Sequence, residues 1–168
     1  MVSGLYTLDD LHQAIATQPE RWRPLVLTNG CFDLLHAGHV RYLQSARALG
    51  RALVVGLNSD ASVRQLKPAA PGYPPRPLIP AAERAEVLAA LQAVDAVVIF
   101  PERRATRLIE VLRPDIYAKG GDYTPATLPE FPDVQACGGR VELIQVEVSA
   151  STSAIVERIL AARPLAQA

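Results

Sequence analysis

Two histidines, three residues apart, have the types and the spacing best suited to chemistry in this chain. They lie at the end of the stretch Thr28-Asn29-Gly30-Cys31-Phe32-Asp33-Leu34-Leu35-His36-Ala37-Gly38-His39, which follows an apolar run and precedes a helical pattern of apolar residues. A strand therefore leads into a loop that begins a helix. The N-terminus of a helix carries unpaired N–H groups and a partial positive charge, so it suits phosphate, and imidazoles add further donors there. The stretch predicts a binding site for the phosphates of a nucleotide.

Several residues of this stretch have a second interpretation. The histidines could cap a surface helix or bind zinc with Cys31 or Asp33, but zinc needs three or four ligands and Cys137 stands alone. Asp33 could instead orient a histidine, help to hold Mg²⁺ or cap the helix. Phe32 is explained by core packing. Gly38 lets a nucleotide approach the backbone closely, because it has no β-carbon.

Composition limits the classes of protein to which the chain could belong. Its 168 residues are enough for one domain with a substantial core. Basic and acidic residues number 17 each, which argues against non-specific electrostatic binding of nucleic acid. Aromatic residues are only 5%, which argues against a surface on which single-stranded bases stack. We find neither a secretory leader nor an apolar run long enough to span a bilayer, and we interpret the two distant cysteines as reduced thiols. We expect a soluble cytoplasmic protein without a nucleic-acid or membrane partner.

Strand-like and helical patterns alternate along the chain. Apolar runs at 25–28, 52–57, 96–100, 116–118 and 141–146 alternate with helical patterns at 40–49, 81–93, 105–112, 128–136 and 153–162, and a further helix is predicted over 7–17. This order predicts an α/β fold with a doubly wound, Rossmann-like, mostly parallel five-stranded sheet and helices on both faces. We expect one domain over 1–168, with an N-terminal helix and linker at 1–24, the α/β core at 25–162 and a tail at 163–168.

Polar and charged residues follow two further predicted strands. Asn58-Ser59-Asp60 comes after the second strand, with Arg64 and Lys67 beyond it, and Lys119-Gly120-Gly121-Asp122-Tyr123 comes after the fourth. The carboxyl ends of the strands form the ligand crevice of an α/β sheet, although solvated charges or a simple turn would explain the same residues. The proline-rich stretch 68–77 cannot be regular structure, and it is either a solvated connection or a mobile flap beside the site.

Four motifs in order resemble one protein family over about residues 26–160. His36-Ala37-Gly38-His39 resembles the His-x-Gly-His signature of the cytidylyltransferase-like nucleotidyltransferases. Together with the loops at 28–33, 58–60 and 119–123, it is closest to the D-glycero-β-D-manno-heptose 1-phosphate adenylyltransferase branch, the nucleotidyl-transfer half of the bacterial ADP-heptose synthase. The segment Ser151-Thr152-Ser153 stands where that branch usually has Ser-Thr-Thr.

The resemblance implies a role for each matching residue. Lys67 would bind phosphate and act with His36 and His39 in catalysis, while the serine and threonine at 151–153, which otherwise are ordinary helix caps, would hold the β- and γ-phosphates. Nucleotide binding is assigned to Thr28, Asn29, Gly30, Cys31, Phe32, Asp33, Gly38, Lys119, Gly120, Gly121, Asp122, Ser151, Thr152 and Ser153, and substrate binding to Asn58, Asp60 and Arg84.

The reaction implied by the resemblance requires no general base. The nucleophile is a phosphate oxygen that is already anionic, so the enzyme must supply in-line positioning and positive charge. The resemblance implies ATP, Mg²⁺ carried by the triphosphate rather than by protein ligands, heptose 1-phosphate as the acceptor, and a homodimer. Residue chemistry alone implies only a nucleoside triphosphate and an anionic acceptor, and it does not distinguish adenine from cytosine.

Two departures from the branch and three rival functions accompany this interpretation. Many bacteria fuse a sugar kinase to this half and the present chain is too short to hold one, so we expect a separate kinase to supply the acceptor. The proline-rich stretch is longer than is typical, which affects the acceptor pocket. The rivals are a glycerol-3-phosphate cytidylyltransferase, a non-catalytic nucleotide-binding module and a zinc hydrolase.

Overall fold

Strands and helices alternate along the part of the chain that the computed structural model describes, namely residues 4–121, 123–124, 126–145 and 151–162. In chain order they are β1 (Leu5–Tyr6), α1 (Leu8–Thr17), α2 (Pro19–Trp22), β2 (Leu25–Gly30), α3 (Ala37–Arg47), β3 (Ala52–Asn58), α4 (Asp60–Leu66), α5 (Ala81–Ala89), β4 (Ala96–Phe100), α6 (Thr106–Leu112), β5 (Ile116–Gly120), α7 (Phe131–Ala136), β6 (Arg140–Ile144) and α8 (Thr152–Ala161). In this described part, no helix has the length and apolar character that crossing a membrane requires.

The strands form one parallel sheet in the order β1-β4-β3-β2-β5-β6. The chain moves outward from β2 through β3 to β4 and then returns to place β5 on the other side of β2. The side of the sheet to which successive strands are added therefore changes between β2 and β5. This is the switch point where ligands bind in doubly wound folds. This confirms the predicted fold class.

The predicted number of strands was five, whereas the described residues form six. The added strand is β1, whose Leu5 and Tyr6 lie in register with Val97 and Val98 at the outer edge of β4. Two residues are too few to show the apolar run or the alternation by which a strand is predicted from sequence. The short strand ends the sheet next to β4, away from the switch point.

Successive residues of the central strands pack into two separate cores. Leu25 and Leu27 of β2 face a core that α1, α2, α6 and α7 complete, whereas Val26 faces a core completed by α3 and α5. Both faces of the sheet are therefore covered, which explains why the strands are continuous apolar runs. Gly56 of β3 is needed for this packing, because a Cβ there would lie 2.5 Å from Cδ1 of Leu108 in α6.

The ends of several helices differ from the sequence prediction. Helix α3 begins at Ala37 rather than at residue 40, because the side chain of His36 caps it. Helix α5 ends at Ala89 rather than at residue 93, and the N–H of Leu91 beyond it bonds to the carbonyl of Leu88, three residues back instead of four. Helices α2 and α4 were not predicted: α2 has only four residues, and the buried residues of α4, Ser62 and Val63, do not form an apolar stripe.

Candidate active site

A cleft of about 780 Å³ opens at the carboxyl ends of the central strands. Its walls contain the predicted residues Asn29, Gly30, Cys31, Phe32, Asp33, His39, Asn58, Lys67, Lys119, Gly120, Thr152 and Ser153. The loops after β2, β3 and β5 and the first turn of α8 therefore meet at one place, as the motif order predicted. The first turn of α8 is held there by a hydrogen bond of 3.3 Å from Thr152 Oγ1 to the carbonyl of Leu34.

Other predicted residues lie beside the cleft rather than in its walls. Among the described residues these are Thr28, His36, Gly38, Asp60, Arg84, Gly121 and Ser151. Thr28 is fully buried and bonds to the Tyr42 hydroxyl at 2.7 Å, and Ser151 caps α8 by accepting from the N–H of Ala154. Asp122 lies outside the described residues. Thr28 and Ser151 therefore support the loops and the helix around the cleft rather than forming its walls.

The two histidines lie side by side at the start of α3. Nδ1 of His36 accepts from the N–H of Gly38 at 3.1 Å, and the His36 and His39 ring centroids are 4.0 Å apart. Among the described residues, Nδ1 of His39 is buried without a hydrogen-bond partner, which leaves Nε2 to reach a ligand in the cleft. Burial, and then the neighbouring His36, lower the pKa of His39 to about 4, and burial also lowers the pKa of His36. The free site therefore holds two neutral imidazoles at pH 7.

Phe32, whose backbone has a strained conformation, packs against this histidine pair. It is buried in the core beside α3, as predicted, and its ring lies 5.4 Å from the ring of His39 between centroids. Its φ of 43° is unusual for a bulky residue and costs about 1–3 kcal/mol where the surroundings enforce it. The turn out of β2 thus accepts backbone strain next to the residue expected to donate to phosphate.

A hydrogen-bonded group of three side chains lies across β2 and β5. Asn29 Oδ1 accepts from the Tyr117 hydroxyl at 2.5 Å and from Lys119 Nζ at 2.8 Å. Lys119 also lies 5.9 Å from the centre of the Tyr117 ring and 5.8 Å from that of Tyr123. Burial lowers the pKa of Lys119, while the carboxylate of Glu130 acts in the opposite direction. The group places an oriented ammonium at the switch point, where the phosphates of a nucleotide would lie.

Asp33 has a role that the sequence did not predict. Its carboxylate accepts from the N–H groups of Leu78 and Ile79, at 2.8 Å and 3.0 Å, and pairs with the guanidinium of Arg76. Its side chain has no exposed surface, and the cap of α3 is His36 rather than Asp33. Asp33 thus anchors the end of the proline-rich segment beside the histidine loop, and neither of its oxygens is left for a metal ion.

The proline-rich segment, residues 68–77, also touches α8. The hydroxyl of Tyr73 donates to Oε1 of Glu157 at 2.8 Å. A smaller cavity of about 310 Å³ lies between the segment and α8 and shares Lys67, Arg76 and Ser153 with the main cleft. The segment therefore lies beside the site at two contact points, and this fits the flap interpretation better than a solvated connection.

The structure places Arg84 differently from the substrate contact that we predicted. Its guanidinium donates to the carbonyls of Ile79, Cys31 and Asn58, at 2.8 Å, 2.5 Å and 3.0 Å, and pairs with Asp60 at 2.7 Å. Only 1% of the side chain is exposed. Arg84 therefore clamps three loops together beneath the cleft. Its neighbours occupy the donors that a phosphate would need, and Oδ1 of Asp60 is one of these neighbours.

The side chain of Asn58, which we predicted to bind substrate, is also hydrogen-bonded to other residues of the protein. Asn58 is 2% exposed, and its Nδ2 donates to Ser62 Oγ at 2.9 Å and to the carbonyl of Glu102 at 3.3 Å. Ser62 Oγ donates to the same carbonyl at 2.8 Å. These bonds join the end of β3 to the turn that follows β4. Asn58 thus stabilises one wall of the cleft through hydrogen bonds on the side away from the cavity.

Sequence analysis missed three arginines in the walls of the cleft, namely Arg76, Arg103 and Arg104. Arg103 and Arg104 occupy the turn between β4 and α6, and both are exposed. They stand directly after an apolar strand, which is the same signal that selected the Lys119 loop, so it could have found them. A guanidinium nitrogen of Arg104 donates to the carbonyl of Pro129. Within the described residues, the side chains of Arg103 and Lys67 form no hydrogen bond or ion pair.

No group of three His, Cys, Asp or Glu side chains in the described part of the chain lies close enough together to hold a metal ion. Both cysteines, Cys31 and Cys137, are free thiols, and burial raises the pKa of Cys31. The described walls contain the carboxylates of Asp33 and Glu130, and the first of these is fully engaged. Positive groups and helix N-terminal N–H groups thus dominate the site, which is the donor set that binds phosphate chains.

Comparison with known proteins gives the family of the chain. A family model described as cytidylyltransferase-like matches residues 27–164. The protein named Bifunctional protein HldE from Syntrophotalea carbinolica is 53% identical over 152 residues, which are 90% of this chain and 30% of that protein. Its namesake from Geotalea uraniireducens is 55% identical over 152 residues, with the same coverage. The chain thus spans about 30% of the length of these curated relatives.

Solved structures share the fold at low sequence identity. The lipopolysaccharide core biosynthesis protein from Thermoplasma volcanium superimposes with a TM-score of 0.59 and 24% identity over 74% of this chain and 97% of that one. A pantoate-beta-alanine ligase from Francisella tularensis superimposes with a TM-score of 0.58 and 10% identity over 88% of this chain and 68% of that one.

Proposed function

The chain belongs to the cytidylyltransferase-like family, and from that premise we propose that it transfers AMP from ATP to D-glycero-β-D-manno-heptose 1-phosphate, which releases pyrophosphate and forms ADP-heptose. One observation carries this proposal: His39, Lys119 and the first turn of α8 line a single cleft at the switch point of the sheet. These are groups that bind phosphate. The ordered motifs of the heptose 1-phosphate adenylyltransferase branch supply the identity of the acceptor, and the relatives named bifunctional protein HldE support that choice.

In the proposed reaction, an oxygen of the acceptor phosphate attacks the α-phosphorus of ATP in line with the leaving group. The new bond joins that oxygen to the α-phosphorus, while the bond from the α-phosphorus to the bridging α–β oxygen breaks. The electron pair of this bond leaves with pyrophosphate. The acceptor oxygen is already anionic near neutral pH, so no residue has to remove a proton from it.

The residues of the cleft would stabilise the charge that builds up during this displacement. His39 Nε2 would donate to the α-phosphate or to the bridging oxygen, with His36 stacked beside it. Lys119, fixed by Asn29, would neutralise phosphate oxygens at the switch point. The N–H groups of α8, with Thr152 and Ser153, would hold the two outer phosphates that depart. Each of these groups acts by position and charge rather than by proton abstraction.

Mg²⁺ is part of the proposal as a cofactor that arrives with ATP. When bound to the phosphates, it would neutralise charge on the departing pyrophosphate. The described walls do not gather the carboxylates of a dedicated metal cage, so phosphate oxygens and water would supply most of its ligands. We also propose that the enzyme works in the cytoplasm as a homodimer, which sedimentation analysis of the purified protein would test.

An assay of pyrophosphate release tests the proposed function. Purified protein would be supplied with ATP or CTP, with Mg²⁺, and with D-glycero-β-D-manno-heptose 1-phosphate or glycerol 3-phosphate. We expect release with ATP and the heptose phosphate. Turnover with CTP and glycerol 3-phosphate would replace the proposal by the related cytidylyltransferase activity. ATP binding without release in any mixture would identify a non-catalytic nucleotide-binding module, and stoichiometric zinc in the purified protein would favour a hydrolase.

A further inference from the structure

The side of the cleft formed by β3 and β4 carries an arginine that has no partner within the described residues. Arg103 is exposed in the turn between β4 and α6, and it contributes to the wall of the cleft. Its neighbour Arg104 is tied to the carbonyl of Pro129, whereas the guanidinium of Arg103 is bonded to no described residue. A guanidinium fork in a cleft wall, with all its donors free, is suited to bind an anion.

The backbone that carries Arg103 is held firmly in place. The carbonyl of Glu102 accepts two hydrogen bonds, at 3.3 Å from Asn58 Nδ2 and at 2.8 Å from Ser62 Oγ. Two residues earlier, at the end of β4, the carbonyl of Phe100 accepts from the N–H of Ser59 at 2.9 Å. The end of β3 and the start of α4 therefore fix the turn, so that the free side chain extends from a rigid base.

The order of the strands puts Arg103 on the opposite side from the groups expected to bind the triphosphate. His39 follows β2 and Lys119 ends β5, so these two lie at the switch point. Arg103 follows β4, two strands away from β2, and Lys67 follows α4 on the same side. Within the described residues, neither Arg103 nor Lys67 is neutralised by a partner. The cleft therefore carries free positive charge on the β4 side as well as at the switch point.

We propose that Arg103 binds the phosphate group of the acceptor on the β3–β4 side of the cleft. This inference rests on the proposed function, in which two anions must meet although they repel each other. The guanidinium would hold the acceptor oxygens that do not attack, while the remaining oxygen forms the bond to the α-phosphorus. Arg103 would thus remain on the same phosphate from the bound acceptor to the product. Lys67, whose charge also acts on Cys31 in the loop after β2, would meet charge from both substrates.

Steady-state kinetics with Arg103→Ala test this assignment. The KM for heptose 1-phosphate should rise about tenfold to a hundredfold, which is the loss expected for a hydrogen bond to a charged group. The KM for ATP and the turnover number should stay within about twofold, because the triphosphate site is untouched. Arg103→Lys should recover part of the affinity, since it keeps the charge but loses the fork. Arg107→Ala is the matched control, because Arg107 is an exposed arginine on α6 outside the cleft wall, and it should behave like wild type.

A rise in the KM for ATP, or unchanged constants for Arg103→Ala, would overturn the assignment. If the wild-type protein does not turn over heptose 1-phosphate, the proposed function fails by itself, and the role of Arg103 is then decided by binding. Inorganic phosphate would be titrated by calorimetry into the protein saturated with α,β-methylene-ATP. Arg103→Ala should weaken phosphate binding about tenfold or more while binding of the nucleotide analogue is unchanged. Equal phosphate affinity in the two proteins would refute the proposal.

Discussion

Replacing Arg84 by alanine should lower the free energy of unfolding strongly and should change substrate affinity little. The change removes the donors from the carbonyls of Cys31, Asn58 and Ile79 and from the carboxylate of Asp60. A buried group left without its partner costs about 1–3 kcal/mol, and breaking a buried pair costs about 3–5 kcal/mol. Asp60 keeps 34% of its side chain exposed, so water can replace part of its loss.

We therefore expect Arg84→Ala to lower the free energy of unfolding by about 3–5 kcal/mol, out of a typical total of about 5–15 kcal/mol. Urea unfolding measures this loss as a lower midpoint at unchanged slope. In thermal unfolding the midpoint should fall by about 10 °C, since 1 kcal/mol corresponds to about 2–4 °C in a domain of this size. Arg84→Lys should also be destabilised, because an ammonium cannot reach all four acceptors.

The exposed Arg64 of α4 provides the matched control, and Arg64→Ala should change stability by no more than about 0.5 kcal/mol. The reasoning would be refuted if Arg84→Ala unfolded at the same urea concentration as wild type and only raised a KM. That result would restore the direct substrate contact that the sequence resemblance implied for Arg84. It would also mean that the loops after β2 and β3 hold their positions without the clamp.

Three further predictions concern the residues that face the cleft. His39→Ala should cut turnover by about two orders of magnitude or more, as for loss of a donor in the transition state, and should leave circular dichroism unchanged; normal turnover would remove His39 from the mechanism. Lys67→Ala should weaken catalysis or triphosphate affinity while the free energy of unfolding changes by no more than about 0.5 kcal/mol, since its exposed side chain bonds to no described residue; an intact kinetic profile would count against its role. Binding of Mg²⁺·ATP near pH 6.5 should take up a proton at His39, because its pKa of about 4 in the free protein should rise beside phosphate; calorimetry in two buffers of different ionisation enthalpy measures this, and an equal uptake in His39→Ala would exclude His39 as its source.

The same pKa has a defined effect on stability. The folded-state pKa of His39 lies below its ordinary value of 6.5, so the unfolded chain binds more protons between these values. The contribution of His39 to the free energy of unfolding is therefore fully present above pH 6.5. It is lost as the pH falls toward 4, because the unfolded chain takes up the proton first. Bound phosphate reverses the preference, since it favours the charged imidazole. Nucleotide binding should for this reason become tighter as the pH falls from 8 toward 6.

The sequence predicted the fold class because β2, β3 and β4 are buried on both faces and appear as continuous apolar runs. It did not predict β1, whose two residues depend on the edge of β4 rather than on a pattern of their own. For the site, motifs selected the loops at His39 and Lys119, which the structure brings to one cleft, since strand ends and glycines are recognisable in the sequence. They could not assign Asp33 or Arg84, because each is satisfied by partners more than 20 residues away.

Charge is distributed unevenly between the cleft and the rest of the surface. Among the described residues, five cationic side chains and two carboxylates lie in the cleft walls, whereas the whole chain has equal numbers of acidic and basic residues. Apart from these seven wall residues, the chain has 15 acidic and 12 basic residues. A protein of zero net charge thus concentrates positive side chains around the mouth of the cleft. Anionic substrates would be steered toward that mouth from beyond contact range, and added salt would slow their capture.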